Sequence, residues 1–166
     1  MAQINNLSGL TLNFVSAAMV AGTTSTYTTT VTTAGIINGK FVTTLGAQTN
    51  TASPTTDANT GAAFNALSPN KTCALVFGQT AAGAIQLVQG PIIDTDVGVT
   101  TTVGAFRAAP QFPALPDDFL PLAYTLVRTA PSAASWVPGT GSWTASGVSA
   151  TTFKNIGTLP NRPQIA

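Results

Sequence analysis

A chain of 166 residues has room for one domain around a single core, and no second composition regime divides it. Its 44% hydrophobic content excludes a disordered chain, whereas 7% charged residues is far below the roughly 25% of ordinary soluble domains. With a net charge of +1 and Lys40, Lys71, Arg107, Arg128, Lys154 and Arg162 scattered singly, it offers no basic stripe for nucleic acid or an anionic membrane, and little to keep copies of itself apart.

Leu10, Leu12 and Phe14 alternate with Thr11 and Asn13, which predicts a strand with three apolar side chains on one face. The wider stretch from Leu7 to Gly22 includes Asn13 and several hydroxyl residues, and no Lys or Arg precedes it. It is read as neither leader nor membrane span, so a soluble protein made in the cytoplasm is expected. The β-branched run from Thr23 to Thr33 predicts a second strand. Gly35 and Asn38-Gly39 then mark a turn before the alternation of Phe41, Thr43 and Leu45. From Gln48 to Gly61 large apolar residues are nearly absent, which reads as a long surface loop.

Cys73, Leu75 and Phe77 alternate, Gln79 to Gly83 link, and Ile85 and Leu87 resume, the clearest hairpin in the chain. Gly90-Pro91 ends it, and Ile92 to Val103 supplies one or two short strands around Asp94, Asp96 and Gly98. Across 109–121 the prolines at 110, 113, 116 and 121 forbid helix and central strand and favour an extended arm. Leu122, Tyr124 and Leu126 alternate with Ala123, Thr125 and Val127, so this strand is apolar on both faces and central. Trp136 and Trp143 flank a glycine-containing link, placed to cap the core or to anchor an interface. Residues 158–166, with Leu159-Pro-Asn-Arg-Pro163, form an extended tail. About eight short strands and no amphipathic helix predict an all-β fold, a single-domain antiparallel β-sandwich of jelly-roll type.

The chain has no His and no Glu, which removes Ser-His-Asp and Cys-His catalysis and leaves zinc without a stable ligand set. One cysteine excludes an internal disulfide, and Cys73 reads as a buried hydrophobe. Asp94 and Asp96 would share one strand face about 7 Å apart, a spacing that suits a hard cation. They and the pair Asp117 and Asp118 are read instead as turn residues bonded to nearby backbone. No catalytic residue, metal or cofactor is expected. Candidate contact residues are Pro110, Phe112, Pro113, Leu115 and Pro116 on the arm, Trp136 and Trp143, and Leu159, Pro160, Arg162 and Pro163 on the tail.

Four phrases carry a resemblance: Gly39-Lys-Phe-Val-Thr43, Ala47-Gln-Thr-Asn-Thr51 with Pro54-Thr-Thr-Asp57, Gln111-Phe-Pro-Ala-Leu-Pro-Asp117, and Leu159-Pro-Asn-Arg-Pro163. They resemble small virion proteins of tailed bacteriophages, most of all the cement or decoration proteins of the capsid exterior. The resemblance implies a jelly roll or related sandwich that forms dimers or trimers and binds the major capsid protein across neighbouring capsomers. It assigns no residue a role. Two other readings are a tail or fibre component stacking Trp136, Trp143 and Tyr124 on a sugar, and a calcium module or small hydrolase built on the Asp pairs.

Overall fold

The computed structural model describes residues 10–160 and 163. They are all-β and antiparallel, in a sandwich-like arrangement without a helix. The twelve described strands divide among three sheets, where the sequence suggested about eight strands in two.

The spine of the fold is the pair β7 (Lys71–Gln79) and β10 (Leu120–Thr129). Both are buried along nearly their whole length, as expected of strands apolar on both faces. β8 (Ile85–Gln89) returns from β7 through the expected hairpin, and β9 (Ile93–Asp94) pairs with the start of β7. β11 (Val148–Ala150) and β12 (Lys154–Asn155) complete this sheet on the far side of β10. A second sheet orders β2 (Met19–Ala21), β3 (Thr26–Thr29) and β6 (Gln48–Ala52). A third orders β1 (Leu12–Asn13), β4 (Gly35–Ile37) and β5 (Lys40–Phe41).

Two apolar clusters lie on opposite faces of the spine. Cys73, Leu75 and Phe77 of β7 enter the larger one with Met19 and Tyr27 of the second sheet and with Trp136, Trp143 and Phe153. Val76 points the other way, into a smaller cluster with Val88, Phe119 and Tyr124. Period-two alternation puts β7 residues on both sides as the sequence predicts. In β10 the phase changes. Pro121 pairs with Gly78 and Ala123 with Phe77, so Leu122 is an extra residue and the strand bulges there. Leu122 and Ala123 both reach the larger cluster while Tyr124 faces the smaller one, which corrects the expected shared face of Leu122 and Tyr124. The bulge also explains how Pro121 sits inside a central strand, a place the sequence reading denied it.

Other expectations change for equally local reasons. The Asn38-Gly39 turn is as expected, with φ of 50° and 76° across the two-residue β4–β5 link that a type I′ hairpin requires. Gly35 is not in the turn but in β4, where a Cβ would stand 2.5 Å from a Leu120 methyl and 2.8 Å from the Leu12 carbonyl. The supposed loop from Gln48 holds strand β6, whose outward Thr and Asn side chains look like loop composition while its backbone pairs with β3. In β1 the inward residue is Asn13, and Leu10 and Phe14 are exposed. Asn13 is drawn inward by hydrogen bonds: its backbone N–H donates to Gly157 O at 3.0 Å and its Nδ2 to Ile156 O at 3.1 Å.

Asn155 makes a similar bracket. Its Oδ1 accepts from Met19 N at 2.7 Å and its Nδ2 donates to Met19 O at 3.0 Å, so one side-chain amide joins β2 to β12 as a neighbouring strand would.

A close backbone-to-ring approach in the spine is at Gly78. A Cβ there would meet the Phe119 ring and stand 2.6 Å from Leu120 O. Gly78→Ala is expected to cost about 2–3 kcal/mol in urea denaturation, since the carbonyl it strikes belongs to the paired strand and cannot swing aside.

Candidate interaction surface

Several of the charged side chains are engaged within the fold. Asp57, in the segment read as a loop, is buried. Its Oδ1 accepts from the backbone of Asn59 at 2.8 Å and Thr60 at 3.1 Å, and its Oδ2 from Gln89 N at 2.8 Å. Asp118 accepts from Ala81 N at 2.8 Å, a backbone partner 37 residues away and not the local turn bond expected of it. Asp94 pairs with Lys71, its partner across β9 and β7, and Asp96 with Arg107 at 3.2 Å. The hydrogen bond and charge of Lys71 hold the Asp94 carboxyl below the usual carboxylate range. No group of three metal-ligating side chains occurs among the described residues.

Ser68 and Lys71 carry a Ser-x-x-Lys spacing, but the Lys71 side chain is paired with Asp94. Cys73 is fully buried, and desolvation pushes its thiol up to about 12 against a weaker opposing bond from Gln89 Nε2. Arg128 is half-buried, donates to Gly104 O at 3.1 Å and lies 4.7 Å over the Phe106 ring.

The arm and tail are brought together by the smaller cluster. Phe112 sets its ring edge-on against Tyr124, with centroids 4.9 Å apart, and Leu115 and Leu159 pack beside it. Pro110 and Pro163 are buried, and Pro113, Pro116 and Pro160 are half-buried. The arm passes close over Gly90, where a Cβ would stand 2.7 Å from Gln111 O. Arm and tail thus cover the second face of their own sheet. Arg162 lies outside the described residues. Trp136 and Trp143 are interior, their rings 5.5 Å apart, with Nε1 atoms donating to Ser142 O and Thr26 O at 2.9 and 2.8 Å.

Between arm, tail and third sheet run two open grooves that meet at Thr158. One, of about 290 Å³, is lined by Thr11, Asn38, Leu115, Pro116, Asp117 and Leu159 among others. The second, of about 660 Å³, runs over Tyr124 between Leu12, Lys154 and Pro160. Three of the contact residues expected from sequence line the first groove and a fourth the second.

Sequence reasoning missed an exposed apolar knob on the third sheet. Phe41, on β5 just past the Asn38-Gly39 turn, is 83% exposed, and its ring meets the 49% exposed Phe14 edge-on at 6.2 Å. The alternation that seemed to bury Phe14 and Phe41 aims them outward because β1 buries Asn13. Comparison with protein-family models, with curated proteins and with solved structures finds no match to this chain.

Proposed function

We propose that this chain is a structural protein of a tailed-bacteriophage particle that lies on the outside of the capsid and cements neighbouring copies of the major capsid protein. The observation that carries the reading is its surface: 8152 Å² of accessible area is shared among eleven charged side chains, about 740 Å² for each. Four of those charges are paired with one another and Asp57 points inward. A skin so weakly charged, bearing an exposed aromatic pair, suits burial against protein. The four phrases that resemble phage virion proteins supply the particle. The sugar-binding alternative is less favoured because Trp136, Trp143 and Tyr124 are all interior.

The test is sedimentation of the purified chain with shells assembled from the cognate major capsid protein. Saturable, stoichiometric co-pelleting and a higher shell melting temperature are expected. A chain that stays in the supernatant at every concentration would end the reading. Deleting 158–166 is a poorer probe, since it strips Leu159 and Pro163 from the domain's own packing.

A further inference from the structure

A third opening, of about 340 Å³, is a seam lined by Val20 and Ala21 of β2, by Ala150 at the end of β11, by Thr152, and by the buried Trp143 and Phe153 among others. None of its lining residues ionises. β2 and β11 are outermost strands of their sheets. Gly22 N donates to Thr26 O at 2.8 Å, which makes Gly22 with Thr26, and Val20 with Thr28, the hydrogen-bonded pairs of the β2–β3 ladder. Met19 and Ala21 therefore turn their N–H and C=O away from β3. The Asn155 amide takes both groups of Met19, while those of Ala21 have no partner among the described residues. In β11 the bonds from Ala130 N to Gly147 O at 2.7 Å and from Thr151 N to Leu126 O at 2.9 Å fix the same alternation. It turns the N–H and C=O of Ala150 away from β10, again without a partner among the described residues. Free strand-edge groups beside an apolar interior are what an added strand uses: main-chain bonds for affinity and a pocket for alternate side chains.

The chain itself carries such a strand. Ala2, Gln3, Ile4 and Asn5, outside the described residues, alternate apolar and polar with a period of two, and no side chain in 1–9 ionises, which matches the uncharged seam. Leu12 lines the larger groove together with Thr152 and Phe153, and those two also line the seam, so the openings adjoin. Nine residues before Leu10 span up to about 30 Å when extended, enough to cross from one to the other. We propose that the seam is a strand-binding site filled by residues 2–5 of the same chain, with Ile4 set against Trp143 and Phe153 and the backbone bonded at Ala21 and Ala150. It continues along β2 what Asn155 does at Met19, and it stands independently of the capsid role.

Four residues with one buried side chain bind weakly as a free peptide, with a dissociation constant of submillimolar order. A short tether supplies an effective concentration of millimolar order, so the seam is filled roughly ten times as often as it is empty. Amide exchange in the full chain, read by NMR, tests this. Ile4→Ser is expected to quicken exchange at Ala21 and Ala150 roughly 10-fold, as the seam opens. Gln3→Ser, which the period of two turns away from the seam, is expected to change it less than about 2-fold. Unchanged amide shifts in β7 and β10 check the fold. In a chain lacking residues 2–6, a synthetic peptide of residues 1–6 is expected to restore the slow exchange at submillimolar concentration. Equal exchange in the parent and Ile4→Ser, equal effects of Gln3→Ser and Ile4→Ser, or a peptide that leaves the shortened chain unchanged would each overturn the proposal. Exchange that quickens when the parent is diluted would overturn it in favour of a strand supplied by a second copy.

Discussion

Trp143→Ala is expected to lower the unfolding free energy by about 4 kcal/mol, the largest loss of any single side chain considered. The indole closes an aromatic group: its ring lies 5.5 Å from Trp136, 5.5 Å from Phe153 and 6.4 Å from Phe77. Truncation removes the burial, leaves a void among rigid rings and orphans the Thr26 carbonyl that Nε1 holds at 2.8 Å. Trp143→Phe separates these terms. It keeps a ring in place but not the donor, and a loss of about 1–2 kcal/mol is expected. Urea denaturation followed by circular dichroism reads both. Equal losses for the two variants would show that packing contributes little.

Asp57→Ala is expected to cost about 3 kcal/mol, because one buried carboxylate serves three backbone donors that would lose their partner together. Asp57→Asn retains a carbonyl oxygen, so a smaller loss of about 1–2 kcal/mol is expected. The position of the damage is as informative as its size. Asp57 Oδ2 bonds Gln89 N, and Ala58 N donates to Leu87 O at 2.9 Å, so this segment covers the outer edge of β8. Amide exchange at Gln89 should quicken in Asp57→Ala before the spine opens, and the uncovered edge should make the variant aggregate on warming.

Much of the architecture was legible in the sequence. The spine strands announce themselves as long apolar runs, the β7–β8 hairpin by its alternation, and the β4–β5 turn by Asn38-Gly39. What misled was any strand whose buried residue is polar. Asn13 is inside and Asn155 half-buried because their amides find backbone partners over a hundred residues away, a contact that composition does not record. β6 looked like a loop for the related reason that its pairing is backbone pairing and its side chains face water. The bulge at Leu122 was hidden because both phases of β10 are apolar, so a one-residue shift leaves no mark on the pattern. The candidate interaction surface was half legible. The arm and tail residues Leu115, Pro116 and Leu159 do line a groove, yet their first task is covering their own sheet, and the exposure of Phe41 follows only from the inward turn of Asn13.

The two asparagine brackets have a consequence for how the molecule is made. Asn13 and Met19 find their partners at 155–157, more than a hundred residues later in synthesis. The strands around Asn13 and Met19 therefore wait until residues 155–157 have been made with their fastening points vacant, and closure of so long a loop is slow. Folding should begin in the middle, where β7, β8 and β10 are in hand first, and finish as the late segment threads against Met19 and locks the early strands down. A chain cut before Asn155 would keep its spine and lose its clasp.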